Sequence, residues 1–262
     1  MKLIIPEGRQ SLVNVLGAEL WRKAKSTKHI VILLVGVTIS LLTVVGIISL
    51  VEYGGFEGLV SNLSGMAIGM GGLVLLLYVG VVVISSSASD LVDGTTQTSL
   101  LLTPRRLVLI LSQSAVGALT GFATALLWCL ALLVHFFLTD FAIQSVGQLI
   151  LTLTFSVVAI SFAVTIAFLV GRIVPGSILG LVVLLLIFLI LPLVLNWVGS
   201  LTGSVFLARI ASFINAGVPG SLAITAMEPY HDLGKSLLGL LGLIAWAVAL
   251  FPVAYRCFKK IG

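Results

Sequence analysis

The stretch SDLVDGTTQTSLLLTPRR, Ser89 to Arg106, decides how this chain is divided. From Asp90 onward it is the longest polar interruption in the first half after the amino terminus, and apolar runs of membrane-spanning length flank it. Asp93-Gly94-Thr95-Thr96 has the composition of a turn that opens a short helix. Thr103-Pro104-Arg105-Arg106 reads as a cytoplasmic stop before the next apolar run.

Composition sets the solvent. Of 262 residues, 60% are hydrophobic and 9% charged, against about 25% charged in soluble domains. No soluble core hides that much apolar surface, so lipid must surround most of the chain. The net charge of +5 then reads as cytoplasmic anchoring charge and not as a nucleic-acid footprint. Cys129 lies inside an apolar run and Cys257 near the carboxyl end, at different expected depths, so no disulfide is expected. Met1 to Lys28 shows no apolar core of a cleavable signal peptide.

Residues 1–29 are expected to form a cytoplasmic tail and an amphipathic interfacial helix, and residues 30–262 a six-span transmembrane domain. Leu12, Val13, Leu16, Leu20 and Ala24 share one helical arc; Glu19, Arg22 and Lys25 lie off it, with Lys23 at its edge. This pattern predicts a helix in the inner interface, with Trp21 and the basic residues Arg22, Lys23, Lys25 and Lys28 at headgroup level. A helix packed on a soluble partner is the other reading.

Apolar spans are expected at about 30–51, 63–84, 109–137, 147–170, 177–197 and 237–255. The uncharged run from Leu107 to His135 exceeds one perpendicular span, so span 3 is expected to tilt or to begin in the interface. Gly65 and Gly69 have the spacing of a close helix-packing face. Pro192 is expected to kink span 5. The weakly polar segment from Gly199 to Asp232 is expected to hold two short helices broken at Gly217-Val218-Pro219-Gly220, either dipping into the membrane or folded as an outer loop. With six spans, the amino end, two inner loops and the carboxyl end hold 12 of the 14 Lys and Arg residues, Arg209 and Lys235 being the others. The positive-inside rule then places both termini in the cytoplasm. The fold class is therefore an all-α integral membrane protein: six transmembrane helices behind an amphipathic interfacial helix.

Catalytic patterns are missing. There is no HExxH and no GxSxG. His29, His135 and His231 fall near span ends, where an amphipathic ring suits an interface. Gly234-Lys235-Ser236 imitates the end of a phosphate-binding loop, but Pro229 stands where that motif needs its first glycine. No cofactor site is expected in this chain, and any ATP chemistry belongs to another one.

An amphipathic inner helix, six spans, Asp93-Gly94-Thr95 followed by Leu100-Leu101 and Thr103-Pro104-Arg105-Arg106, a longer segment between spans 5 and 6, and a basic tail together resemble the permease subunits of type-2 ABC exporters. That family often has Glu where this chain has Asp93, and Lys where it has Gln113. The resemblance implies a dimer with an identical or similar permease subunit and a separate ATPase that carries ATP and Mg. It implies a path between subunits, lined by spans 2 and 5, for a drug, peptide or lipid. It further implies that the segment between spans 5 and 6 caps the exit path. It also implies that Asp93, Gly94, Thr95, Thr96, Pro104, Arg105 and Arg106, with Leu16, Leu20, Trp21, Arg22 and Lys23 of the interfacial helix, face that ATPase. The expected setting is a cell membrane, the bacterial plasma membrane. No enzymatic activity is expected in the chain itself. A non-transporting scaffold, sensor or immunity protein that docks a cytoplasmic partner is the alternative.

Overall fold

The computed structural model describes residues 12–53, 60–92, 106–138, 146–174, 176–201, 205–229 and 232–259. Helix α1 (Leu12–Ala24) precedes α2 (Thr27–Tyr53), α3 (Val60–Val92), α4 (Arg106–Leu138) and α5 (Val146–Ile173). Next come α6 (Ser177–Leu185), a π-helical turn (Leu186–Ile190) and α7 (Leu191–Leu201), which together form one continuous span. Helices α8 (Val205–Gly217), α9 (Pro219–Ala226) and α10 (Leu233–Lys259) complete the described residues. Six helical segments among them are long and apolar enough to cross a membrane, at the six places expected. The protein is a multi-pass, all-α membrane protein.

Two helices extend beyond their expected ends. Span 2 was expected to stop near residue 84, with Asp90 in the loop; α3 continues through Asp90 to Val92. Helices α3 and α4 each have 33 residues, about 50 Å at 1.5 Å per residue, well beyond a hydrocarbon core of about 30 Å. Their ends therefore project past the apolar layer and carry polar groups. The excess length of span 3 is used at its start, where α4 packs against α1.

Helices α3 and α5 form the centre. In each, 67% of the apolar stretch is buried, against 22% in α2 and 17% in α10. Lipid is as apolar as a leucine core, so close packing and not hydrophobicity must hold these helices together. Small residues make the approach possible. A Cβ at Gly121 of α4 would lie 3.0 Å from Val164 Cβ and 3.2 Å from the Ser161 Cα of α5. One at Gly171 of α5 would lie 3.3 Å from the Ile84 Cα of α3. Ser40 Oγ of α2 donates to the Gly71 carbonyl of α3 at 2.6 Å. Most other span hydroxyls, such as Thr120, Thr124, Ser156 and Thr165, donate to the carbonyl four residues back, so they need no partner from a neighbouring helix.

At the opposite end from α1, span 5 changes winding. Proline at 192 cannot donate to the Phe188 carbonyl, and its ring crowds that carbonyl. The turn ahead of it widens into the π form over Leu186–Ile190. Gly220 of α9 sits directly against this carbonyl, leaving no room for any side chain. Helices α8 and α9 meet at a 74° bend, where Val218 is extended and Pro219 starts the new helix. Trp246 Nε1 of α10 donates to the Gly217 carbonyl at 2.8 Å and pins the bend. Ala223, Ala226 and Met227 are fully buried, whereas Phe206 and Phe213 of α8 face outward. The segment is therefore two helices bent into the bundle end, and it is α9 that enters. On α3 the glycine face meets this segment: Gly69 lies against Glu228, and Gly72 against Met227.

Gly121→Val should lower stability by about 1–3 kcal/mol, as over-packing of a tight contact does. Gly199→Ala, with nothing within 4 Å of the added carbon, should leave it unchanged. Thermal unfolding of the detergent-purified proteins measures both.

Candidate functional site

The polar residues that α3, α4 and α5 carry past the apolar layer meet at one end of the bundle, together with α1. Ser26 ends the short link after α1: its Oγ accepts the His29 N–H at 3.4 Å and its carbonyl accepts the Ile30 N–H at 3.2 Å, which caps α2. This tight turn lays α1 against the first turns of α4. The face of α1 turned to the bundle carries Val15 and Glu19, both buried, with Arg22 and Lys23 half-buried beside them. Leu16 and Leu20 lie at its margin, half-buried. Trp21 faces outward, 71% exposed.

Four helices close a ring of hydrogen bonds and ion pairs. The Arg22 guanidinium of α1 donates to both oxygens of Asp90 on α3, at 3.2 and 3.1 Å, the two-pronged geometry that a planar guanidinium matches to a carboxylate. It also pairs with Glu19 at 2.8 Å. Gln113 of α4 donates from Nε2 to Glu19 Oε1 at 3.3 Å and accepts at Oε1 from Arg172 Nη2 of α5 at 2.9 Å. Arg172 returns to Asp90 at 4.0 Å. Lys23 donates to Ser86 Oγ of α3. Helix α10 joins through Phe258, whose ring lies 5.9 Å from the Arg172 guanidinium carbon, with Phe168 at 5.3 Å.

The charge balance explains why this cluster tolerates burial. Among the described residues, three cations, Arg22, Lys23 and Arg172, face two carboxylates, Glu19 and Asp90. Only 3% of Arg172 and 7% of Glu19 is exposed, and such charges are retained only when paired and hydrogen-bonded. At Arg22, burial works to lower the pKa, but the combined pull of Asp90 and Glu19 outweighs it and the value rises. Burial pushes the Lys23 ammonium down, and Asp90 only partly offsets this. Gln113 suits its place because one amide both donates and accepts; an ammonium there would only donate, and would add a fourth cation. A cavity of about 30 Å³ lies inside the cluster, large enough for water. On its wall, Ser87 Oγ and His29 Nε2 have no hydrogen-bond partner among the described residues.

Asp93, Gly94, Thr95, Thr96, Pro104 and Arg105 lie outside the described residues. Arg106 opens α4, and its Nη1 donates to the Lys259 carbonyl at the end of α10, at 2.5 Å. Arg22 and Lys23, expected at headgroup level, are both engaged with α3. The bundle end offers Asp90 and Ser86, and these bind the two cations directly. Glu19, Asp90, Gln113 and Arg172 were not marked as a site by the sequence. Their only signal was polarity at the ends of apolar runs, and their partners lie 59 to 94 residues away in the chain.

Elsewhere the chemistry is structural. Among the described residues no three His, Cys, Asp or Glu side chains gather as a metal site. Gly234-Lys235-Ser236 is a helix start: Asp232 Oδ1 accepts the Lys235 N–H at 3.1 Å, which holds this exposed carboxyl below its ordinary pKa. In comparisons with known proteins, no family model matches the chain and no curated protein is similar to it.

Asp90→Asn should cost about 1.5–3 kcal/mol, the loss of hydrogen bonds to a charged partner. Combined with Arg22→Gln, it should cost less than the sum of the two single changes, by at least about 0.5 kcal/mol. Unfolding of the four proteins in a double-mutant cycle checks this, and full additivity would show that the two residues do not act together.

Proposed function

We propose that this chain is the membrane-spanning subunit of an ATP-driven exporter. It would work beside a second permease subunit and couple to a separate ATPase, which binds ATP and Mg. The observation that supports this reading is the ring around Asp90. It ties α1, the helix leading into the 93–105 segment, and the polar ends of α4 and α5 into one unit, and Phe258 adds α10. A partner pushing on this face would move several spans together, which an energy-transmitting contact requires.

Charge asymmetry supports a cytoplasmic location for this end and a bacterial plasma membrane as the setting. The spans are apolar, and their hydroxyls are mostly spent on their own backbones, which suits a hydrophobic or amphipathic cargo better than a sugar or an ion. Spans 2 and 5 touch where Gly80 meets Leu184 and where Gly180 meets Ile84. On this reading, spans 2 and 5 of each protomer also face the path between subunits, and loosening their contact within the protomer widens it. The chain itself would do no ATP chemistry.

Purification from native membranes should bring down an ATPase, and vesicles holding both should move a labelled amphipathic substrate only with ATP. Replacing Asp93, Arg105 and Arg106 together by Ala should weaken ATPase binding roughly tenfold, about 1.4 kcal/mol, with thermal stability kept. A native complex without an ATPase, and no ATP-dependent movement in vesicles, would instead support a non-transporting scaffold, sensor or immunity protein.

A further inference from the structure

A second cavity, of about 490 Å³, adjoins the polar ring and opens sideways between α2 and α4. Its volume falls within the roughly 300–1,000 Å³ of small-molecule sites. Its walls are apolar: Leu33 and Val37 come from α2, and Leu119, Ala123 and Leu127 from α4. Its rim is not apolar. Lys23, from the last turn of α1, and His29, from the first turn of α2, line it where it meets the polar ring.

Three observations identify an occupant. The first is depth. From His29 to Val37 is eight residues of helix, about 12 Å, and from Val116 to Leu127 is eleven, about 16 Å. Both are close to half of a hydrocarbon core of about 30 Å, so the groove runs through one leaflet and stops. The second is charge. Among the described residues, the ring beside the rim has one more cation than carboxylates, and exposed Lys25 follows in the turn. The third is His29, which lines both cavities and whose Nε2 lacks a partner among the described residues. The mouth is flanked by outward-facing Leu34, Phe122 and Leu127, so a lipid enters from the side without crossing protein.

We propose that this groove binds one anionic phospholipid, with an acyl chain lying between α2 and α4 and its phosphate beside Lys23 and His29. The bound lipid would complete the wall that α1 leaves open and add a negative group next to the surplus cation of the ring. The inference needs only the membrane setting and not the ATPase partner, so it stands or falls separately from the transport reading.

The full chain would be incorporated into nanodiscs of equal phosphatidylglycerol and phosphatidylcholine, then extracted in mild detergent. Lipid retained per chain would be read by native mass spectrometry. The wild-type chain should keep phosphatidylglycerol over phosphatidylcholine by about tenfold. Lys23→Gln should bring that ratio close to equality. Ala123→Trp, which fills the groove from its lipid-facing side, should remove the retained lipid, while the outward-facing Leu130→Trp should leave it in place. Equal retention of the two lipids by the wild-type chain would overturn the proposal. So would an Ala123→Trp chain that keeps as much phosphatidylglycerol as the wild type.

Discussion

The pairing of Arg22 with Asp90 is the interaction on which the polar end of this molecule depends. Two long helices carry charged and amide groups beyond the apolar layer, to a place that is still buried by neighbouring helices. A charge there persists only if its partners are supplied, because isolated burial costs far more than a single contact returns. Arg22 binds both oxygens of Asp90 and reaches Glu19; Glu19 holds Gln113; Gln113 holds Arg172. Remove one member and its neighbours on two other helices are left short of a bond. The ring therefore fixes the position of α1, which has few apolar contacts of its own to hold it in place.

The far end of the bundle follows a different rule. Beside a side-chain link in which Asn215 donates to Asn196 and accepts from Ser221, Pro192 and the break before Pro219 leave backbone groups without their usual partners. The π turn, the bare approach of Gly220 and the Trp246 bond to the Gly217 carbonyl accommodate them. Side-chain charges organise one end and backbone geometry the other. Between them the packing rests on close glycine contacts such as Gly121 against Val164 and Gly80 against Leu184, where no hydrophobic drive operates. The molecule is thus most tightly specified at its two polar boundaries, and it is there that a partner or a lipid would act on it.

Much of this was legible in the chain. The spans near 30–51, 147–170 and 177–197 agree with the helices to within a few residues at most ends, because a long uncharged run has one stable form in lipid. The two short helices and their break at Val218 were legible from Gly217-Val218-Pro219-Gly220. The end of α3 was not. Four serines and an aspartate over residues 85–90 look like a loop in isolation, and only Arg22 and Lys23, more than sixty residues away, make a helix the better place for them. The face of α1 was read from its apolar arc, yet Leu12 and Val13 of that arc point away from the bundle while Glu19 points in.

The sequence by itself determined the number and places of the long apolar helices, since hydropathy is a local property of the chain. The tertiary structure alone decided which faces of the helices meet and which polar residues become partners. The physical reason is the solvent: lipid and protein core are equally apolar, so a spanning helix carries little polar contrast to mark its buried face. That face is set by shape and by rare polar groups finding one another, and neither is written within one segment of sequence.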